Sequence, residues 1–240
     1  MYHFFVEPHQ IGAEEIRIEG ADVNHIRNVL RMKPGEKIMI SSREGGDYFC
    51  RVEELEPEYV SAKILEEREN NELPARIHLP KGDKMELIIQ KAVELGVYRV
   101  IPVSMKRSVV KLDAKKADAK GKRWNAVSES AAKQSKRSLI PEVAPLMTYK
   151  EAVKEAAGYD MVLLPYESAD GIRKTRELLA SVKPGTDIAV FIGPEGGFED
   201  EEVELARENR AEIVTLGKRI LRTETAGLCM LSALMLQLEV

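Results

Sequence analysis

The sequence predicts an α/β protein in which a small β-barrel precedes a mostly parallel sheet with helices on both faces. Two patterns along the 240 residues support this fold class. Residues 1 to about 70 contain short runs of alternating apolar and polar side chains, which favour half-buried strands. From Arg76 onward, continuously apolar runs alternate with helical patterns, which is typical of parallel strands covered on both faces. We therefore expect one domain at residues 1–72 and a second at residues 73–240.

The first domain contains five predicted strands and one predicted helix. The strands are the runs HFFVE, EIRIE, EKIMIS, DYFCRVEELE and YVSAKILEE. The run DVNHIRNVLRMKPGE has helical spacing, and the Pro-Gly pair near its end is a stop signal. The apolar face of this helix is predicted to contain Val23, Ile26, Val29 and Leu30. The charged segment at residues 66–74 is a predicted linker.

The second domain alternates strands with helices. Its predicted strands are RIHLPK, YRVIPV, DMVLLPYE, DIAVFIG and EIVTLG. Its predicted helices are KMELIIQKAVEL, a basic helix at about 115–137, a helix opened by Thr148 and Glu151, IRKTRELLASV, an acidic helix at 199–209 and a final helix at 224–238. Asp83 with Glu86, like Thr148 with Glu151, has the spacing of a capping box, and Gly96 suits a helix end. The final helix is apolar nearly all round, so we expect part of it to pack on another subunit.

Composition excludes several classes of protein. No apolar run approaches the roughly 20 residues that span a bilayer, and the N-terminal run MYHFFVEPHQ lacks the pattern of a signal peptide. Cys50 and Cys229 lie far apart, and the four histidines show no ligand spacing. We therefore expect a cytoplasmic protein with no membrane partner and no metal.

The charge distribution points to a nucleic-acid partner, although the net charge of −4 alone argues against one. From Lys106 to Arg137, eleven lysines and arginines accompany three acidic residues, which is a local excess of +8. Such a stretch can follow phosphates and makes binding dependent on salt. An ordinary solvated helix face is the alternative, since charge runs commonly have no other role.

A glycine-rich turn follows one predicted strand, in VFIGPEGGFEDEE at residues 190–202. Ligands of open α/β sheets bind at the carboxyl ends of strands, where glycines let a ligand approach the backbone. The turn matches neither GxGxxG nor a P-loop, and Glu195 and the acidic helix start disfavour a phosphate. A cationic or neutral ligand suits it better, and S-adenosylmethionine, with a sulfonium and a phosphate-free adenosine, fits that description. The alternative is a tight strand-to-helix turn without a ligand.

The next strand ends in LGKRILRTETA, residues 216–226, which we expect to lie beside the glycine-rich turn. Ile220 and Leu221 can sandwich an adenine while their backbone groups read its edge. Arg222 then remains as a cation that faces an acceptor substrate. The alternative is an ordinary helix N-cap with its cations in solvent. Because both turns follow strand ends of one sheet, we favour a shared pocket.

Taken together, GPEGGF, LGKRILRTETA and the upstream KGDKMELIIQKAVELGV resemble the RsmE family of 16S ribosomal RNA uracil-N3 methyltransferases, which belongs to the knotted SPOUT superfamily. HIRNVLRMKPGE resembles that family's PUA-like RNA-binding module. The resemblance covers essentially the whole chain. It implies a C-terminal trefoil knot, a feature almost absent from other folds. It also implies S-adenosyl-L-methionine as cofactor, a uridine in the decoding region of the small ribosomal subunit as target, and a homodimer.

The resemblance also implies roles for individual residues. Three loops would contact the cofactor, through Leu164, Pro165, Gly193, Glu195, Gly196, Gly197, Leu216, Gly217, Ile220, Leu221, Thr223 and Ala226. Arg222 is the candidate for stabilising a uracil anion, and Glu195 or Glu224 for taking its proton, unless Glu195 only holds the loop. The candidate RNA contacts are Arg27, Arg31, Lys84, Lys91, Arg107 and Arg137.

Three other functions fit the same sequence. A non-catalytic RNA-binding or ribosome-assembly protein could keep the fold but would not bind S-adenosylmethionine. A nucleotide-dependent oxidoreductase could use the glycine-rich turn, but GxGxxG and an acid for a ribose are missing. A methyltransferase of the same superfamily could act on another RNA, such as tRNA.

Overall fold

The computed structural model describes residues 1–70, 72–81, 85–108, 114–167 and 171–239. The chain divides into two compact units, and each unit takes two segments of sequence. One unit consists of Met1–Glu72 with Ala132–Ile140, and the other of Leu73–Ala131 with Pro141–Val240. Among the described residues, no helix is both long enough and apolar enough to cross a membrane.

The first unit is built on a five-stranded sheet. Its strands are β1 (Tyr2–Val6), β2 (Glu15–Glu19), β3 (Lys37–Ser42), β4 (Asp47–Leu55) and β5 (Tyr59–Arg68). Their order is β1-β3-β4-β5-β2, with β1 parallel to β3 and the other neighbours antiparallel, so the sheet forms a half-barrel. Alternate residues such as Ile16 and Ile18 are buried, as the period of a half-buried strand requires. All five predicted strands of this unit are confirmed.

The predicted helix of this unit contains a wider turn than expected. A short α-helix, α1 (Ala21–Asn24), continues as a π-helical turn at His25–Val29, where the Leu30 N–H donates to the His25 carbonyl at 2.9 Å. Val23 and Ile26 are buried as predicted, but Val29 is 61% exposed. The prediction for Val29 was wrong because a π turn joins residues five apart and rotates the following side chain away from the core.

The second unit contains a seven-stranded sheet in which all described pairs are parallel. Its strands are β6 (Arg76–Lys81), β7 (Arg99–Ser104), β8 (Glu142–Val143), β9 (Met147–Thr148), β10 (Met161–Pro165), β11 (Asp187–Val190) and β12 (Glu212–Val214). The order is β12-β10-β11-β6-β7-β8, and β9 pairs with β7. The five predicted strands are confirmed. β8 and β9 were not predicted, because two residues are too few to show a period.

Six helices lie between or after these strands in the described part of the chain. They are α2 (Met85–Glu94), α3 (Ala114–Ser135), α4 (Tyr149–Ala156), α5 (Ile172–Ser181), α6 (Asp200–Glu208) and α7 (Thr223–Leu238). Because α7 contacts α2 and α5, whereas α4 contacts α6, the helices form the two predicted layers. The trefoil knot implied by the family resemblance stays a prediction.

Two of the predicted helix ends are confirmed in detail. At the start of α4, Thr148 Oγ1 accepts from the Glu151 N–H at 3.3 Å, and Glu151 Oε2 accepts from the Thr148 N–H at 2.9 Å. Gly96, just after α2, has a φ of +84°, as a helix-ending glycine requires. The predicted partner of Glu86, Asp83, lies outside the described residues.

Candidate active site

The carboxyl ends of three neighbouring strands surround the site. β10 lies between β12 and β11 and is parallel to both, so the loops that follow these strands emerge at the same edge of the sheet. A cavity of about 670 Å³ lies between these loops. Its walls include residues 165–167 at the end of β10, residues 192–198 and Asp200 after β11, and most of residues 215–226 after β12. This is the edge at which open parallel sheets bind ligands.

The glycine-rich turn is held against the cavity by Arg107, from the loop after β7. The Arg107 guanidinium donates to the Gly196 carbonyl at 2.9 Å and to the Glu199 carboxylate at 2.7 Å. A Cβ at Gly196 would lie 3.0 Å from the Cβ of Arg107, which is too close for an ordinary contact. Glycine at this position therefore lets the two backbone segments approach this closely without displacing Arg107. Arg107 lies in the cavity wall, and its predicted contact with RNA stays a prediction.

The second wall of the cavity is the loop between β12 and α7. Gly217 has a φ of +115°, which side-chain-bearing residues rarely adopt. Beyond it, Ile220 is 83% exposed although its side chain lines the cavity. Arg222 is the N-cap residue of α7, and its carbonyl accepts from the Ala226 N–H at 2.8 Å. The loop thus presents an apolar side chain and a cation to the same space.

Both signs of charge line the cavity. The cations are those of Arg107, Arg219 and Arg222, and the carboxylates are those of Glu167, Glu195, Asp200 and Glu224. The Tyr166 hydroxyl donates to Asp200 Oδ1 at 3.2 Å. Burial, and then this hydrogen bond, raise the pKa of the Tyr166 hydroxyl above its usual value. Among the described residues, no group of three or more His, Cys, Asp and Glu side chains could hold a metal ion.

The structure brings nearly all of the predicted cofactor and catalytic residues together. Those that line this cavity are Pro165, Gly193, Glu195, Gly196, Gly197, Leu216, Gly217, Ile220, Leu221, Arg222, Thr223, Glu224 and Ala226. Leu164 is 0% exposed in the hydrophobic core and is not among the residues that line the cavity, so its predicted contact with the cofactor stays a prediction. Both faces of this sheet are covered by helices, so the neighbouring Leu163, which is 1% exposed, is buried as well.

Several residues of the cavity wall were missed by the sequence analysis. They are Tyr166, Glu167, Ile192, Pro194, Phe198, Asp200, Thr215 and Arg219. Each lies within the predicted loops or next to them, so the positions of the strand ends were sufficient to predict that these residues line the cavity. Arg107 gave no such signal, since 89 residues separate it from the Gly196 carbonyl that it binds.

The candidate RNA contacts are in different surroundings. In the first unit, Arg27 is half-buried and Arg31 is exposed. In the second, Lys91 is half-buried and pairs with Glu94 at 2.8 Å. Lys84 lies outside the described residues.

Arg137 requires a correction. It is 6% exposed and forms an ion pair with Glu72, which also accepts from the Ser138 N–H at 2.8 Å and the Leu139 N–H at 3.1 Å. A cation in this position is held by the Glu72 carboxylate and has almost no surface to offer a phosphate. We therefore assign Arg137 to the packing of the first unit.

Known proteins resemble the chain over both units. A family model described as an RNA methyltransferase domain matches residues 67–235, and one described as an RNA methyltransferase PUA domain matches residues 18–65. The chain is 38% identical over 250 residues to Ribosomal RNA small subunit methyltransferase E of Bacillus subtilis, with 100% of this chain and 98% of the relative covered. It is 33% identical to the protein of that name in Mesomycoplasma hyopneumoniae, with 97% and 98% covered.

A solved structure has the same architecture. It is a Ribosomal RNA small subunit methyltransferase E from Neisseria gonorrhoeae bound to S-adenosyl methionine. Its sequence is 32% identical, the TM-score is 0.81, and the match covers 97% of this chain and 96% of that one.

Proposed function

Because the chain belongs to the RNA methyltransferase family, we propose that it transfers a methyl group from S-adenosylmethionine to N3 of one uridine in 16S ribosomal RNA. The observation that carries this proposal is the cavity shared by the two loops around Gly196 and Leu221. A relative with 98% of its length covered is named for this class of reaction, and a structure 32% identical is described as bound to the cofactor.

The residues around the cavity fit this cofactor. When bound, S-adenosylmethionine supplies a methyl group on a positively charged sulfur. Glu195, Glu167, Asp200 and Glu224 provide negative charge around the cavity, which favours a cationic ligand. Ile220 and Leu221 offer an apolar surface for an adenine, and the glycines leave backbone groups within its reach.

Arg222 is the residue to which we assign stabilisation of the reacting base. N3 of uracil becomes a nucleophile only after it loses its proton, and the negative charge then spreads onto O2 and O4. A preorganised cation stabilises such a charge. Arg222 is exposed at the cavity, where a base that enters would meet it. Glu195 and Glu224 line the same cavity, and we assign the role of proton acceptor to one of them. If Glu224 is the acceptor, Glu195 serves only to hold the loop.

The N3–H group restricts which RNA conformations can react. It lies on the Watson–Crick edge, so the uridine must be unpaired or turned out of its helix. We assign contacts with the surrounding RNA to Arg27 and Arg31 in the first unit and to Lys91 in the second. A substrate in the small ribosomal subunit also makes the reaction cytoplasmic.

We further propose that two chains form the active enzyme. α7 exposes Leu236, which is 73% exposed, and Cys229 on the side opposite its buried residues. α7 is apolar nearly all round, and a helix of this kind is usually buried on all sides, so we expect another protein to cover this exposed side. The second copy of this chain is the occupant that we propose.

The proposal is tested by locating the methyl group. The protein is incubated with methyl-labelled S-adenosylmethionine and small ribosomal subunits that lack the modification, and the labelled nucleoside is mapped. We expect 3-methyluridine at a single position of the 16S rRNA. Label at another atom, or in added tRNA only, would contradict the proposed target. Calorimetry that detects no binding of S-adenosylmethionine would favour the non-catalytic RNA-binding alternative.

A further inference from the structure

α5 buries a polar side chain where a helix of this kind usually buries an aliphatic one. Thr175 is the one buried residue among those described for α5, and it is 2% exposed. A buried hydroxyl without a partner is costly, whereas valine has the same shape and no such requirement. The partners of this hydroxyl therefore indicate what the residue does.

Both hydrogen bonds of the Thr175 hydroxyl go to one residue of the cavity wall. It donates to the Thr215 carbonyl at 2.7 Å and accepts from the Thr215 N–H at 3.3 Å. Thr215 is the first residue after β12, and its backbone has left the described register with β10. Thr175 thus supplies, from a helix, the pairing that a neighbouring strand would otherwise supply.

A second hydroxyl repeats this arrangement two residues further along the loop. Thr215 Oγ1 donates to the Gly217 carbonyl at 3.2 Å and accepts from the Gly217 N–H at 3.2 Å. The hydrogen bonds from Thr175 to Thr215, and from Thr215 to Gly217, fix the backbone on both sides of Leu216, which lines the cavity. The loop then continues to Ile220 and Leu221.

We propose that Thr175 is a positioning residue that holds the Thr215–Leu221 loop in the conformation that binds the adenosine of S-adenosylmethionine. This inference rests on the proposed function for the identity of the ligand. Thr175 does not line the cavity, and it acts through the backbone of Thr215. A loop that is ordered before binding loses less conformational entropy when the ligand binds, so the protein has a higher affinity for the ligand.

The test compares Thr175→Val, which keeps the shape and removes the hydroxyl, with Thr175→Ser, which keeps the hydroxyl. In the full-length protein, we expect Thr175→Val to weaken S-adenosylmethionine binding by about tenfold, which corresponds to one hydrogen bond. The KM for the cofactor should rise with it, while kcat at saturating cofactor stays within about twofold. Thr175→Ser should restore the affinity.

Hydrogen exchange provides a readout that needs neither cofactor nor activity. In the ligand-free protein, the amides of Thr215 and Gly217 should exchange faster in Thr175→Val than in the wild type. Thr186→Val is the matched control, because the Thr186 hydroxyl also donates to a backbone carbonyl but lies just before β11, at the opposite end of the sheet. It should change neither the exchange of this loop nor the affinity.

The outcomes separate the inference from the proposed function. Unchanged affinity and unchanged exchange in Thr175→Val would overturn the positioning role. A wild type that does not bind S-adenosylmethionine would refute the proposed function, while the exchange data would still decide whether Thr175 orders the loop. If Thr175→Val does not fold, Thr175→Ala removes the same hydroxyl without adding an atom, and faster exchange of the Thr215 amide is the expected result; unchanged exchange there would overturn the positioning role.

Discussion

At the scale of single residues, three arginines show how neighbours decide the role of a side chain. Arg137 is buried against Glu72, Arg107 binds the Gly196 carbonyl, and Arg222 is exposed at the cavity. Only the position of Arg222 was predictable, because its motif follows a strand end. The other two depend on contacts across 65 and 89 residues of sequence, which no local pattern encodes.

The role assigned to Arg222 predicts a variant that binds the cofactor but does not transfer methyl. In Arg222→Ala, loss of the preorganised cation should reduce the rate of methylation by about 100-fold or more. The Kd for S-adenosylmethionine should stay within about threefold of the wild type, since the acceptor base rather than the cofactor meets this cation. Calorimetry and a methylation assay on small subunits measure the two quantities.

Arg207→Ala is the control for this variant. Arg207 lies in the last turn of α6 and pairs with Glu204 on the surface, so its removal deletes the same chemical group away from the cavity. It should methylate at the rate of the wild type. If Arg222→Ala also retained that rate, Arg222 would have no part in the mechanism.

At the scale of elements, local sequence predicted those helix ends at which the stabilising contacts are local. The capping box of α4 joins residues three apart, so the spacing of Thr148 and Glu151 was sufficient. The π-helical turn at His25–Val29 shows the limit. The spacing of its apolar residues also fits an α-helix. Packing against the sheet of the first unit decided which of these residues became buried.

The capping box of α4 predicts a pH dependence. Hydrogen bonds from the Thr148 side chain, and then from its backbone, hold the pKa of Glu151 below its usual value of 4.5. These hydrogen bonds favour the charged carboxylate in the folded state. Their stabilisation is therefore complete at pH values above the usual pKa of Glu151 and is lost as the pH falls through its lowered pKa. Glu151→Gln should therefore be less stable than the wild type near pH 7, and the difference should shrink toward pH 3.

Urea unfolding at a series of pH values measures this difference. Glu58→Gln, in the turn between β4 and β5, is the control for the removal of one exposed carboxylate. A gap between wild type and Glu151→Gln that stayed constant from pH 7 to pH 3 would show that the charge of Glu151 contributes nothing to the cap.

At the scale of the whole molecule, the alternating apolar and polar runs predicted the first sheet and the alternation of strands with helices predicted the second, but neither pattern predicted the strand order. The placement of β10 between β12 and β11 creates the cavity, and it depends on pairs such as Leu164 with Ile213 that are distant in sequence. The inclusion of Ala132–Ile140 in the first unit likewise depends on contacts between residues that are distant in sequence. Contacts such as that of Lys133 with Asp22 become visible only in three dimensions.

The exposed apolar side of α7 predicts that oligomeric state and activity change together. Leu236→Asp should convert a dimer into a monomer in analytical ultracentrifugation, because burying an unpaired carboxylate in an apolar interface is strongly unfavourable. If the active site needs both subunits, methylation should fall in the same variant. Leu65→Asp, at a position 41% exposed on β5, is the control and should remain dimeric. A wild type that sediments as a monomer would contradict the proposed assembly.

The RNA contacts assigned to the first unit predict a change in salt dependence that leaves the cofactor site untouched. Each phosphate contact contributes to the decline of RNA affinity with salt, so Arg27→Gln with Arg31→Gln should reduce the slope of log K against log salt by about one to two. The affinity for S-adenosylmethionine should not change. Arg51→Gln with Arg68→Gln is the matched control, because both arginines pair with glutamates, Glu53 and Glu66, on the same sheet. Filter binding with rRNA at several salt concentrations measures the slopes, and equal slopes for the two double variants would mean that Arg27 and Arg31 do not contact the RNA.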